Sequence, residues 1–353
     1  MENFLTKRYY LNSNNMMDDI VDSLGDCLVQ AAYLVLKSKY GLRRDDYKAF
    51  LNETTVKLIV DSNNDLISFE TVENMFDREV FSINSNSQTN QNTVETVSSV
   101  LKTGDIPAIA TIIERFPFSA FYDINYKLNI RRTGHVFIIV GEDEENFFYV
   151  DNPSVISYKQ YVAYEKNRGI GIISKKFFYE ATKDYCDVLT FKFNKNVIDY
   201  YTKQHLQEAL INSKDNYFKN EVYYGNFIEY FGRNALIKLI ELFETENLRF
   251  DALAPSEDRD MITYFNWKLW NIKGRRNLQR YYLEQNNNNN ALKLIKSLKE
   301  SIKHWDLLYK ILYKDYLQGA VIMGKKYIPV IENVIAVEGE LHEALVKYLS
   351  LES

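Results

Sequence analysis

One stretch of this sequence leaves its backbone little choice. Gly134-His135-Val136-Phe137-Ile138-Ile139-Val140-Gly141 leads into Glu142-Asp143-Glu144-Glu145, and Phe147-Phe148-Tyr149-Val150-Asp151-Asn152-Pro153 follows after Asn146. Two apolar runs rich in β-branched and aromatic residues flank a short acidic tip, the pattern of a β-hairpin. If Gly141 pairs with Asn146, counting back sets His135 opposite Asp151 or Asn152. Two polar residues distant in sequence then sit side by side at the open end. A one-residue slip would move side chains to the other face, so the register decides whether they meet.

The rest of the chain is read around that hairpin. Its 353 residues hold one large or two ordinary domains. Residues 25–40 are predicted as an apolar helix that Gly41 ends. Val56 to Phe69 and Val80 to Asn84 read as short strands or edges, and Asn84 to Asn92 as a mobile polar loop. Thr93 to Lys102 is a short helix stopped by Gly104, and Ile106 to Ile113 a buried strand. From about residue 195 the spacing turns helical, as in Leu236, Leu239, Ile240 and Phe243, and again in Ile295, Leu298, Ile302, Trp305 and Leu312. Asn286 to Asn290 reads as a solvated loop. The expectation is an α+β domain over 1–194 followed by an all-helical domain over 195–353.

Cys27 gives the hairpin a chemical meaning. It heads the apolar helix within Leu24-Gly25-Asp26-Cys27-Leu28-Val29-Gln30, and Asp26 is placed to cap that helix. A cysteine opening a helix, a histidine opening a strand and an aspartate closing the next are the kit of a papain-like thiol enzyme. Free cysteine has a pKa near ~8.5 and reacts as thiolate, so a site must lower it. A helix N-terminus and a neighbouring imidazolium both favour the anion. Cys27 is thus the candidate nucleophile, His135 the acid–base and Asp151 the group that orients the ring. A lone cysteine on an apolar helix is more often structural; the matching His and Asp reverse that balance. Cys186 lacks such company and reads as structural. His205, His304 and His342 fall on helical patterns as surface or half-buried residues.

Bulk properties exclude several classes. The hydrophobic fraction of 46% and charged fraction of 26% suit a soluble globular protein. A net charge of −5 argues against nucleic-acid binding. The N-terminus lacks the apolar core of a signal peptide, and no stretch is long enough to span a membrane. Two cysteines are too few for a disulfide framework, so the expected home is the cytoplasm. No Cys/His cluster has zinc spacing and no glycine-rich phosphate loop is present, so no bound metal or nucleotide cofactor is expected.

The block around Cys27, with the His135 and Asp151 blocks, resembles bacteriocin-leader-processing and other papain-like peptidases. A fuller likeness is to the butirosin-type acyltransferases, in which a papain-like front half precedes a helical back half. Ile106-Pro107-Ala108-Ile109, Phe116-Pro117-Phe118, Tyr122-Asp123 and the His135 hairpin follow that family in order. Arg275-Arg276-Asn277-Leu278-Gln279-Arg280-Tyr281-Tyr282-Leu283-Glu284, then Trp305, resembles its helical domain. Within that family the chain resembles the cysteine-protease-like amide synthetases of closthioamide-type polythioamide assembly.

The resemblance implies a papain-like cysteine protease fold followed by a helical domain. It also implies transfer of an acyl chain from a carrier-protein phosphopantetheine thioester, through a Cys27 acyl-enzyme, to a small amine or diamine. The pantetheine arm belongs to the donor, an acyl or peptidyl carrier protein. Carrier proteins are commonly acidic, which makes Arg131, Arg132, Lys273, Arg275, Arg276 and Arg280 candidate docking residues. Papain-like enzymes usually place an oxyanion-binding glutamine where this chain has Val21. The Cys27 N–H is one substitute donor, and Asn12, Asn14 or Asn15 another. Two other classes stand beside this one, a leader-processing cysteine peptidase and a catalytically idle binding protein of the same fold.

Overall fold

A computed structural model describes residues 27–40, 53–71, 81–87, 93–122, 134–193, 207–245, 248, 261–285, 288–318 and 324–352. Over these the protein is α+β, with two antiparallel sheets and a helical C-terminal region. It divides into two compact units.

The first unit is built on a six-stranded antiparallel sheet. Its strands are β3 (Phe81–Ser87), β4 (Ala108–Ile112), β5 (Gly134–Glu142), β6 (Asn146–Val150), β7 (Gly171–Ser174) and β8 (Cys186–Phe193). Their spatial order is β3-β8-β4-β5-β6-β7. Helix α1 (Cys27–Tyr40) packs on β5 and β8, burying Ala31, Ala32, Tyr33 and Leu36. Helices α2 (Thr93–Lys102), α3 (Tyr158–Lys166) and α4 (Lys175–Thr182) complete the unit. Val97, Leu101 and Phe178 close over an aromatic core in which Phe118 stacks on Tyr149 at 4.1 Å and Phe116 meets Phe137 edge-on at 5.2 Å. Offset and edge-on geometries of this kind are the favoured ones for aromatic pairs.

The polar stretch after Ile83 is strand through Ser87, which corrects the loop expected to begin at Asn84. It pairs with β8 from Phe81↔Phe193 to Ser87↔Asp187. A sheet edge tolerates Asn and Ser because one side of the ladder faces no further strand.

The second unit contains β1 (Val56–Asp61), β2 (Leu66–Thr71), β9 (Val222–Tyr224) and β10 (Phe227–Phe231) in the order β2-β1-β10-β9. Helices α5 (Gly232–Glu244), α6 (Met261–Gln285), α7 (Leu292–Leu317) and α8 (Ile328–Glu352) pack with it. The back half is therefore not all helix. Its hairpin turns on Gly225-Asn226, where Gly225 takes φ +57° as a two-residue turn requires. Nor does the chain divide at one point near 194, since β1 and β2 belong to the second unit. Leu58 and Val60 of β1 share one apolar core with Leu236 and Leu239 of α5.

Candidate functional site

Cys27, the first residue of α1, is half-buried. His135 stands at the start of β5, opposite Thr111 of β4, with 9% of its surface exposed. Asp151 follows β6 and is 4% exposed. The His135 Nε2 lies 2.8 Å and 2.9 Å from the two carboxylate oxygens of Asp151. With Nε2 taken, Nδ1 is the nitrogen left to face Cys27, which lies near enough to favour the protonated ring. Burial works against a charged imidazole here. Asp151 and Cys27 outweigh it, and the ring's pKa is held well above the ordinary histidine value.

The three residues singled out from the sequence thus come together, by a register other than the expected one. At the hairpin tip Gly141 pairs with Phe148, and Glu142 with Phe147. Carried unbroken to the open end, that register would set Asp151 opposite Ile138, on the face away from His135. Val140 is an extra residue on β5, a bulge between Ile139 and Gly141. Past it Ile139 pairs with Tyr149 and Ile138 with Val150, so Asp151 comes beside Phe137. Residues 135 and 137 share a strand face, and a diagonal neighbour is within reach of a histidine. One inserted residue makes the contact possible.

The loop after β6 is fixed on several sides. Asn152 N–H donates to Asp151 Oδ1 at 2.7 Å. The buried Tyr164 hydroxyl donates to the Asp151 carbonyl at 2.6 Å and accepts from the Asp151 N–H at 3.0 Å. Burial raises the Tyr164 pKa, so the phenol keeps its proton and remains a donor. The turn Pro153–Val155 is held to the preceding segment by Ala120 N–H to Val155 C=O at 2.8 Å and Ser157 N–H to Phe118 C=O at 2.7 Å. Tyr164 is a site residue that sequence reasoning missed, and Asn152, named there only as a possible partner across from His135, instead holds the Asp151 carboxylate through its N–H. Neither carries a signal beyond ordinary aromatic and Asx-turn composition.

Asn12, Asn14, Asn15, Val21, Asp26, Arg131, Arg132 and His205 lie outside the described residues. Of the other proposed docking residues, Arg275 and Arg276 are buried and Lys273 and Arg280 are half-buried. Arg276 is buried, with Nη2 and Nε donating to Glu338 at 2.8 Å and 3.1 Å. The Glu338 carboxylate also accepts from Ser301 Oγ at 2.6 Å and Trp305 Nε1 at 2.7 Å. Arg275 is 6% exposed and donates to Thr71. Lys273 pairs with Asp306 at 2.8 Å and lies over the ring of Trp270. Arg280 pairs with Glu284 at 3.1 Å. A buried guanidinium needs such partners to offset desolvation, and once engaged it offers a carrier protein no surface charge. Arg276 and Trp305 lie against each other in a helix-packing core.

Cys186 is buried opposite Thr111, and burial with the Asp187 charge pushes its thiol up to about 12. His304 bonds the Glu300 carbonyl at 2.9 Å, and His342 the Lys214 carbonyl at 3.2 Å. Among the described residues no group of three or more His, Cys, Asp or Glu side chains could hold a metal ion. No described helix is long and apolar enough to cross a membrane. No protein-family model matches the chain, and no curated protein matches it.

Proposed function

We propose that this protein is a papain-like, cysteine-dependent acyltransferase that forms amides, moving an acyl chain from a carrier-protein thioester through Cys27 to a small amine or diamine. The observation that carries the reading is the His135 ring, held by Asp151 on one nitrogen and neighboured by Cys27 at the head of a helix. The preference for acyl transfer over peptide cleavage rests on the family resemblance.

In the first step the Cys27 sulfur attacks the thioester carbonyl, and its proton passes to His135. The carbon–sulfur bond to the donor's pantetheine arm breaks, and His135 protonates the departing thiolate. An alkyl amine, with a pKa near ~10.4, is mostly protonated at neutral pH and must lose a proton to react. Its neutral form attacks the Cys27 thioester, His135 takes the proton that the new amide nitrogen sheds, and the Cys27 sulfur leaves. Asp151 stabilises the imidazolium in both halves. The Cys27 N–H is one donor for the oxyanion.

Intact-protein mass after mixing with an acyl-loaded carrier protein, before any amine, tests the reading. An acyl adduct is expected on the wild type and absent from Cys27→Ala. Loading by His135→Ala should be slower by about 10²–10⁴-fold, the usual worth of a positioned acid–base. No adduct from several acyl carriers, with iodoacetamide modifying Cys27 no faster than a free thiol, would leave an idle binding protein. Cleavage of an unactivated peptide amide, lost in Cys27→Ala, would instead identify a peptidase.

A further inference from the structure

Gln30 lies one helical turn after Cys27, and residues three apart share a helix face with side chains leaning toward the N-terminus. It is 6% exposed on a helix otherwise buried through apolar residues. A neighbouring backbone group fixes which way its amide faces. The Ser154 N–H donates to Asn152 Oδ1 at 2.8 Å, which leaves Asn152 Nδ2 to face α1. There it donates to Gln30 Oε1 at 3.4 Å. The Gln30 oxygen is thereby committed, and its Nε2 is buried without a hydrogen-bond partner. A buried amide left half-satisfied costs stability that a methionine of similar shape would not.

We infer that Gln30 is a positioning residue, tying the nucleophile's helix to the loop that presents Asp151 and so setting how closely Asp151 holds His135. The inference rests on the reading of Cys27, His135 and Asp151 as one reactive group. Asn152 links the two halves, with its side chain on Gln30 and its N–H on the Asp151 carboxylate. Among the described residues, the titratable groups around His135 are Cys27 from α1 and Asp151 from the loop, with Tyr149 and Tyr164 nearer Asp151. From β4 it faces only Thr111. Loosening Asp151 therefore acts on His135 directly.

The test is the titration of the four histidines by nuclear magnetic resonance in the full chain labelled at histidine, with His135 assigned by its loss in His135→Ala. In Gln30→Met the His135 midpoint should fall by about half a pH unit or more, with His342 unmoved and the thermal midpoint unchanged or raised. Asn152→Ala should lower the His135 midpoint similarly, and the double variant no further. An unchanged His135 midpoint in Gln30→Met overturns the inference. So does a fall that His342 shares along with a drop in thermal midpoint, which would be general loosening. If the wild-type His135 midpoint ignores Cys27→Ala, the reactive group itself is wrong. If it responds to Cys27→Ala but not to Gln30→Met, the positioning role alone fails.

Discussion

At the scale of single residues, the His135–Asp151 pair links chemistry to folding. Because the folded His135 pKa lies above its unfolded value near ~6.5, folding takes up a proton as the pH falls through that window. The contribution to stability is fully present below about pH 6.5 and is lost as the pH rises through the raised folded value. Urea unfolding at pH 6 and pH 8 should show this decline in the wild type. Asp151→Asn, which keeps the shape and removes the charge, should be less stable at pH 6 and show a flatter dependence. Equal slopes in the two proteins would mean that Asp151 does not hold the imidazolium. All three residues of the candidate site were legible in the sequence because each opens or closes an element, where chemistry-bearing side chains tend to sit. Gln30 was not. A glutamine inside an apolar helix gives no sign of its purpose until the chain brings Asn152 beside it.

At the scale of elements, spacing identified the hairpin while missing the bulge that makes it work. Nothing in Ile138-Ile139-Val140-Gly141 announces which residue will be left unpaired, because the choice is made by packing on both faces. The β9–β10 hairpin was more readable, since Gly225-Asn226 between aromatic runs is a two-residue turn signal. It was masked by the helical periodicity that follows it. Close packing at Gly171 was invisible for another reason: its partner comes from the neighbouring strand. A Cβ there would lie 2.0 Å from Tyr149 Cζ, in a ring already stacked on Phe118. Gly171→Ala should cost about 1–3 kcal/mol in denaturant unfolding, as overpacking does. In the second unit, Arg276→Met leaves the buried Glu338 without its cation and should cost about 3–5 kcal/mol. Replacing both, with Glu338→Leu, should recover most of that loss, because an apolar pair needs no charge compensation. Failure of the double variant to recover would show that Ser301 and Trp305 depend on the carboxylate.

At the scale of the whole molecule, the second unit is assembled from two distant parts of the chain. Lys57 pairs with Phe231 and Asp61 with Phe227, so one of the sheet's two inner strands comes from the front of the sequence. A fragment of residues 195–353 should therefore lack half its sheet and leave Leu236 and Leu239 uncovered by Leu58 and Val60. Such a fragment should bind a hydrophobic dye and unfold without a sharp transition. Adding a peptide of residues 48–75 should restore cooperative unfolding. A fragment that folds cooperatively unaided would show that β1 and β2 are dispensable to this core.

The same pairing has a consequence for synthesis. β1 leaves the ribosome well before β10, and at ordinary elongation rates the 174 positions between Lys57 and Phe231 take roughly ten to thirty-five seconds. Through that interval Val56, Leu58 and Val60 belong to a nascent hairpin whose apolar face has no cover. The first unit's sheet lies within that span and can close while β1 waits. Maturation of this chain is thus staggered: the units interleave in sequence, and the first can finish while the second still waits for β10.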